Sequence, residues 1–199
     1  MAVWNTPTPC PDHAQRACEA ALACREAEQR LYASPEWEGR PPLHTRFGIH
    51  RDRVMVGHFG APDRMSFTAL GDGVNLAARL EGLNKQYGTT ILVSEAVRED
   101  AQEAFAFRLV DVVAVKGRTR GVRVYELLGR AEASVDRGRE RAYERALERY
   151  WARDFAGALA ILEAQPSDPP SHVLAERARV LAANPPPAEW DGVYVARAK

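Results

Sequence analysis

Two polar residues four apart, Asn75 and Arg79, interrupt an apolar helical repeat and are the chain's strongest candidates for chemistry. Leu76, Leu80 and Leu83 recur at i, i+4 and i+7 and predict a buried stripe, while Asn75 and Arg79 share the stripe beside it. A guanidinium is planar, always charged and able to face several oxygens at once; an amide beside it can both donate and accept. The pair also fits the wet side of an ordinary amphipathic helix, and spacing alone leaves both readings open. No competing constellation stands elsewhere. The three cysteines, Cys10, Cys18 and Cys24, are odd in number and lack a C-x-x-C spacing, so they read as small core residues. The five histidines show no ligand spacing on a helix, and His50 and His58 are expected on paired strands. Asp63 and Asp72 flank the start of the Asn75 helix as a turn residue and a cap. Gly71-Asp72-Gly73 lacks the third glycine and the βαβ setting of a dinucleotide loop.

The elements that would position Asn75 and Arg79 follow from period and punctuation. Gly71 and Gly73 allow a tight turn into their helix, which stops near Gly88. Upstream, Met1 to Trp4 reads as a strand cut in half. A helix capped near Asp12 runs to about Ala33, with Ala17, Ala20, Ala21, Cys24, Ala27 and Leu31 as its apolar face. Leu43 to His50 and Val54 to Phe59 alternate as strands around a polar tip, Arg51-Asp52-Arg53, and predict a hairpin. Downstream come a strand from Thr89 to Val93, a short helix from Ser94 to about Ala101, and strands over Phe105 to Val115 and Val122 to Leu128. Residues 130–138 read as a linker, after which the period changes from two to 3.6. Three helices are expected, carrying Ala142, Leu147, Tyr150 and Trp151, then Phe155, Ala158, Leu159 and Leu162, then Val173, Leu174, Ala178 and Leu181. Such a small segment cannot bury its own face, so it is expected to dock on the preceding part or on a second subunit, with the aromatic tail after Asn184-Pro-Pro-Pro docked as well.

Taken in order, the pieces MAVWN, RFGIH (46–50), VMVGHFG (54–60), DRMSFTALGDGVNLAARLE (63–81), ILVSEAV (91–97), VAVKG and VRVYELL resemble the C-terminal part of the class III adenylate/guanylate cyclase catalytic domain. The resemblance spans Met1 to about Gly129. It implies an α+β fold, a ferredoxin-like cyclase domain over 1–129 lacking its N-terminal strands and helices, with a linker over 130–138 and an all-α segment over 139–199. RDFAGALAILE resembles part of a tetratricopeptide repeat, with a plain helical hairpin as the alternative. The implied reaction is attack of a ribose 3′-oxygen on the α-phosphorus of ATP, ahead of GTP, giving a 3′,5′-cyclic nucleotide and pyrophosphate in signal transduction. By the same resemblance Asn75 orients the ribose and Arg79 stabilises the α-phosphate as the catalytic pair, Lys116 meets the terminal phosphates, and Thr68 faces the purine edge. The two aspartates with which the family holds Mg²⁺ or Mn²⁺ lie in F-x-D-I-x-G-F-T and G-D segments that have no counterpart here, so no metal ligand is assigned. The resemblance therefore implies only the charge-stabilising half of a site shared across a homodimer or heterodimer of cyclase domains, inactive alone. Two readings are carried: a cyclase without its N-terminal part, and a non-catalytic regulatory partner.

Charge and length set the remaining bounds. Lysine plus arginine equal aspartate plus glutamate at 27 each, so no net positive field points to nucleic acid. No apolar run approaches the ~20 residues that span a bilayer, and no signal pattern opens the chain. A cytoplasmic setting is expected, with any membrane tether lying in a missing N-terminal part.

Overall fold

A computed structural model describes residues 1–61, 63–114, 121–133 and 137–195. In chain order the elements are α1 (His13–Tyr32), β1 (Phe47–Ile49), β2 (Met55–Ala61), β3 (Arg64–Leu70), α2 (Asp72–Tyr87), β4 (Ile91–Ser94), α3 (Glu95–Ala101), β5 (Phe105–Ala114), β6 (Val122–Arg130), α4 (Arg137–Trp151), α5 (Phe155–Leu162), α6 (Pro169–Ala183) and β7 (Tyr194–Val195). Five strands form one sheet in the order β1-β4-β6-β5-β7, and β2 and β3 form a separate antiparallel pair. No helix among the described residues is long and apolar enough to cross a membrane.

Period-two alternation sorts the large sheet's side chains onto two faces. Ile91, Val93, Phe105, Phe107 and Leu127 pack with Ala14, Cys18, Ala21 and Leu22 of α1 and with α3. Leu92, Val110, Val113 and Val124 pack instead with Leu76, Leu80, Leu83 and Tyr87 of α2. The C-terminal helices have a cluster of their own, built on Tyr143, Leu147, Tyr150, Phe155, Leu162 and Leu174. It is tied to the sheet by Arg108 of β5, which lies between Glu126 of β6 and Asp168, the residue that caps α6 through Ser171 N. Leu92, Glu126 and Arg108 are cross-strand neighbours, so α6 lies on the α2 side.

Two bulges matter. Between Leu109 and Asp111 the register slips, leaving Val110 as an extra residue on β5. The Leu109 amide donates to Glu144 (3.1 Å) and the Val110 carbonyl accepts from the Tyr143 hydroxyl (2.8 Å), so α4 takes up what the ladder leaves. Between Ala106 and Phe107 a second slip leaves Leu128 extra on β6, and its carbonyl accepts from Arg25 of α1 (3.0 Å).

Several expectations need correction. Met1 to Trp4 is not a strand, and Met1 is 80% exposed; no partner ladder is present among the described residues to extend it. The predicted hairpin of 43–50 with 54–59 does not form. β1 shortens to three residues and pairs in parallel with β4, while β2 pairs with β3. β1 goes where it buries more, since every residue of β4 is buried. His50 therefore sits just past β1, against the Ser94 hydroxyl (2.7 Å), and not on a strand paired with that of His58. On α1 the buried face is Ala14, Ala17, Cys18, Ala21 and Leu22, while Cys24 and Leu31 are exposed, so only Cys18 is a fully buried core cysteine. Asp12 occupies the N-cap position, but its carboxylate pairs with Arg16 (2.9 Å).

The three C-terminal helices form as the period predicts and dock on the sheet within the same chain. The tail docks by its aromatics: Trp190 lies edge-on to Tyr150 at 5.3 Å and to Phe155 at 5.9 Å between ring centroids.

Candidate active site

Asn75 and Arg79 both lie on the exposed side of α2, one turn apart, while Leu76 and Leu80 beneath them are 2% and 0% exposed. The helix begins after Gly71, whose φ of 152° is closed to residues with a side chain and turns β3 directly into α2. Asp72 is the first helical residue and not the cap; no side chain caps this end, and Asp72 places its charge in the first turn, where the helix dipole favours it. The helix ends at Gly88, φ 67°, the left-handed stop that the sequence predicts.

What fixes the pair is the underside of the helix. Gly48 of β1 faces the α2 backbone so closely that a Cβ would collide with the Ala77 carbonyl oxygen and the Glu81 amide. Those two residues bracket Arg79, so the turn that presents it rests on bare strand backbone. The loop after β1 presses on the first turn, where a Cβ on Gly73 would meet Asp52 Cβ at 2.6 Å. Asn84 is fully buried and donates from Nδ2 to the Phe47 carbonyl (2.9 Å), while its Oδ1 accepts from Thr89 Oγ1 (2.9 Å). In the last turn Tyr87 is 1% exposed, and its hydroxyl donates to Asp111 Oδ2 of β5 (2.6 Å). Burial, with the Asp111 carboxylate beside it, holds the Tyr87 phenol far above its ordinary range, so it remains a neutral donor. Sequence reasoning passed over Gly48, Asn84, Tyr87 and Asp111. Gly48 was legible as a glycine inside a strand, which marks close backbone approach, and Asn84 and Tyr87 as polar groups on the leucine stripe.

Thr68 is partly buried on β3, opposite Gly57 of β2 and four residues before α2. Lys116 lies outside the described residues. The β2–β3 hairpin that carries Thr68 leaves Met55, Met65, Phe67 and Leu70 exposed, at 67%, 54%, 60% and 44%. Among the described residues no group of three or more His, Cys, Asp or Glu side chains is arranged to hold a metal ion, and no step is built on one.

Comparison with known proteins decides the family. The model of the family described as "Adenylate and Guanylate cyclase catalytic domain" matches residues 1–129. The chain belongs to this family. Over 129 residues it is 41% identical to adenylate cyclase 1 of Rhizobium meliloti (strain 1021), a match covering 65% of this chain and 19% of that protein. It is 37% identical over 123 residues to an adenylate cyclase of Anabaena cylindrica, covering 60% and 24%. This chain thus spans about a fifth to a quarter of the length of these curated relatives. The crystal structure of the adenylyl cyclase CyaB from P. aeruginosa matches with a TM-score of 0.53 at 29% identity, over 61% of this chain and 63% of that one. The α+β cyclase architecture expected from the sequence is the one found. The family match stops at residue 129, so α4 to α6 lie beyond it.

Proposed function

We propose that this chain supplies the charge-stabilising half of a nucleotide cyclase site. In the reaction the ribose 3′-oxygen bonds to the α-phosphorus, the bond to the bridging oxygen of pyrophosphate breaks so that pyrophosphate departs, and the 3′-hydroxyl proton passes to solvent water. Arg79 stabilises the charge that develops on the α-phosphate oxygens, and Asn75 orients the ribose. Thr68 faces the base, with adenine favoured over guanine, in keeping with the names of the Rhizobium and Anabaena relatives. Lys116 meets the terminal phosphates. The observation that supports this reading is that Asn75 and Arg79 are presented outward by a helix seated on Gly48 and anchored through its own Asn84 and Tyr87 to Phe47 and Asp111, which is the preorganisation charge stabilisation needs.

The acidic residues that would bind Mg²⁺ or Mn²⁺ are assigned to a different cyclase chain, in a heterodimer. The exposed apolar side chains of the β2–β3 hairpin give such a partner a surface. A non-catalytic, regulatory role is the second reading, favoured by the lack of a metal-holding group among the described residues.

The test is complementation. The chain, silent alone, is mixed with a cyclase that keeps its metal aspartates but has lost its own Asn and Arg equivalents. Rescued turnover is expected, and Arg79→Ala should lower it about 10²- to 10³-fold. Its stability should hold within about 0.5 kcal/mol, since an exposed helical Arg loses no core packing. Equal rescue by Arg79→Ala, with equal heterodimer formed, would replace this reading by the regulatory one.

A further inference from the structure

The three C-terminal helices contribute no candidate site residue, yet part of them closes on the helix that does. Three contacts converge on the last turn of α2. At Gly88 the place of a side chain is already filled: a Cβ there would meet Pro169 Cβ, at the start of α6, at 2.5 Å. One face of α6 sends Val173 into the cluster of Leu76, Leu80, Leu83 and Tyr87. From the same helix, Arg177 Nη1 donates to Asp111 Oδ2 (2.6 Å), the oxygen that also accepts from Tyr87. The tail closes the arrangement. Tyr194 of β7 pairs in parallel beside Val113 of β5, and its ring lies 3.7 Å beneath the Arg177 guanidinium, while Gln86 Nε2 donates to its hydroxyl (2.5 Å). Tyr87 lies on another side of that guanidinium at 5.3 Å. Burial disfavours the charge on Arg177, but the Asp111 carboxylate, with Tyr87 beside it, outweighs burial and keeps the group cationic.

We infer that α6 and the tail are a built-in brace for the catalytic helix, with Arg177 the positioning residue that locks the Tyr87 end of α2 to β5 so that Arg79 is held on target. The inference deepens the proposed cyclase role and rests on it. The lever is simple. Arg79 stands eight residues from Tyr87, roughly 12 Å along the axis at 1.5 Å per residue, so a tilt of about 5° at the braced end moves it by about 1 Å. A displacement of that size at a reacting centre costs on the order of 100-fold in rate. The brace thus gives a segment outside the family match a means of setting the activity of the segment inside it.

The experiment compares Arg177→Met with Tyr143→Phe in the full chain. The second change removes a bond from α4 to the Val110 carbonyl and loosens the dock without touching α2. Amide hydrogen exchange across residues 83–88 is read on the chain by itself, and kcat and KM are read in the complemented pair. Arg177→Met should speed exchange in 83–88 at least tenfold and lower kcat by about 10- to 100-fold with KM within twofold, while Tyr143→Phe does neither. Should Arg177→Met not fold, Arg177→Lys, which keeps the charge but loses the planar stack, provides the same comparison. Unchanged exchange in 83–88 would overturn the brace, and faster exchange with unchanged kcat would overturn its positioning role. If the parent chain itself gives no rescue, the cyclase reading fails, and exchange alone decides whether α6 braces α2.

Discussion

Alanine at position 48 should unseat the helix that carries Arg79, and the size of the effect can be worked from the contact itself. A Cβ there would lie 2.9 Å from the Leu80 carbonyl carbon, where ordinary contact begins at 3.4 Å, and closer still to the Ala77 oxygen and Glu81 nitrogen. All three are backbone atoms of one helical turn, so no side chain can swing aside, and α2 must rise by more than 0.5 Å from its seat. Overpacking costs about 1 to 3 kcal/mol, with the upper end expected against rigid backbone. Replacing glycine also removes freedom from the unfolded chain, which offsets about 0.4 to 1 kcal/mol. The net loss should be about 2 kcal/mol. Gly82 supplies the control, because it lies in the same helix with nothing within 4 Å of its Cβ position. Gly82→Ala should therefore stabilise by about 0.5 to 1 kcal/mol through helix propensity. Urea unfolding of both variants at one pH gives the comparison, with hydrogen exchange along 76–82 to locate the disturbance. If Gly48→Ala proved as stable as Gly82→Ala, with exchange in that turn unaltered, the seating argument would be wrong.

Leu80→Ala should cost about 2 to 5 kcal/mol in the same assay, because Leu80 is fully buried between α2 and the sheet, while any heterodimer that still forms keeps its rescue activity. Asp168→Ala should cost about 1 to 3 kcal/mol, since it removes the α6 cap and one hydrogen-bond partner of Arg108, 5% exposed, which keeps Glu126 as its remaining carboxylate; a loss below about 0.5 kcal/mol would refute the tie between sheet and helices. Glu126 shares that one guanidinium with Asp168, and burial pushes its carboxyl above the ordinary 4.5. The fold therefore favours its protonated form: the stability it contributes is complete below about pH 4.5 and is lost as pH rises through the raised folded value. Parent-minus-variant unfolding free energies for Glu126→Gln should fall as pH rises above about 4.5, and a difference that grows with pH would reverse the sign of the argument.

The helix of Asn75 and Arg79 could be read from sequence because its signals are local: a leucine every third or fourth residue, and glycine at the stop. The C-terminal helices were legible for the same reason. Strand partnership was not. RFGIH and MVGHFGA alternate alike and sit four residues apart, which predicts a hairpin, yet β1 pairs with β4 some forty residues on because that partner is buried on both faces. Alanine-rich α1 misled in another way, since several of its faces are equally apolar and the choice of Cys18 and Leu22 over Cys24 and Leu31 was made by the sheet it packs on. Asn75 and Arg79 were found by type and spacing; Asp111 and Arg177 were not, because a buried carboxylate in a strand and an arginine 66 residues later become partners only in the fold.

The extra residue in β5 has a consequence of its own. Because Val110 stands outside the pairing, the groups that receive α4 are main-chain atoms of Leu109 and Val110, and any side chains of suitable size could sit there. What encodes the attachment is arithmetic, one residue more on β5 than on β6 at this point of the ladder. Such a specification tolerates substitution and is vulnerable to length. Loss of one residue from 108–111 would let the ladder close, return those atoms to β6, and turn the Asp111 side of the strand over, detaching the helices from a sheet that had itself become more regular.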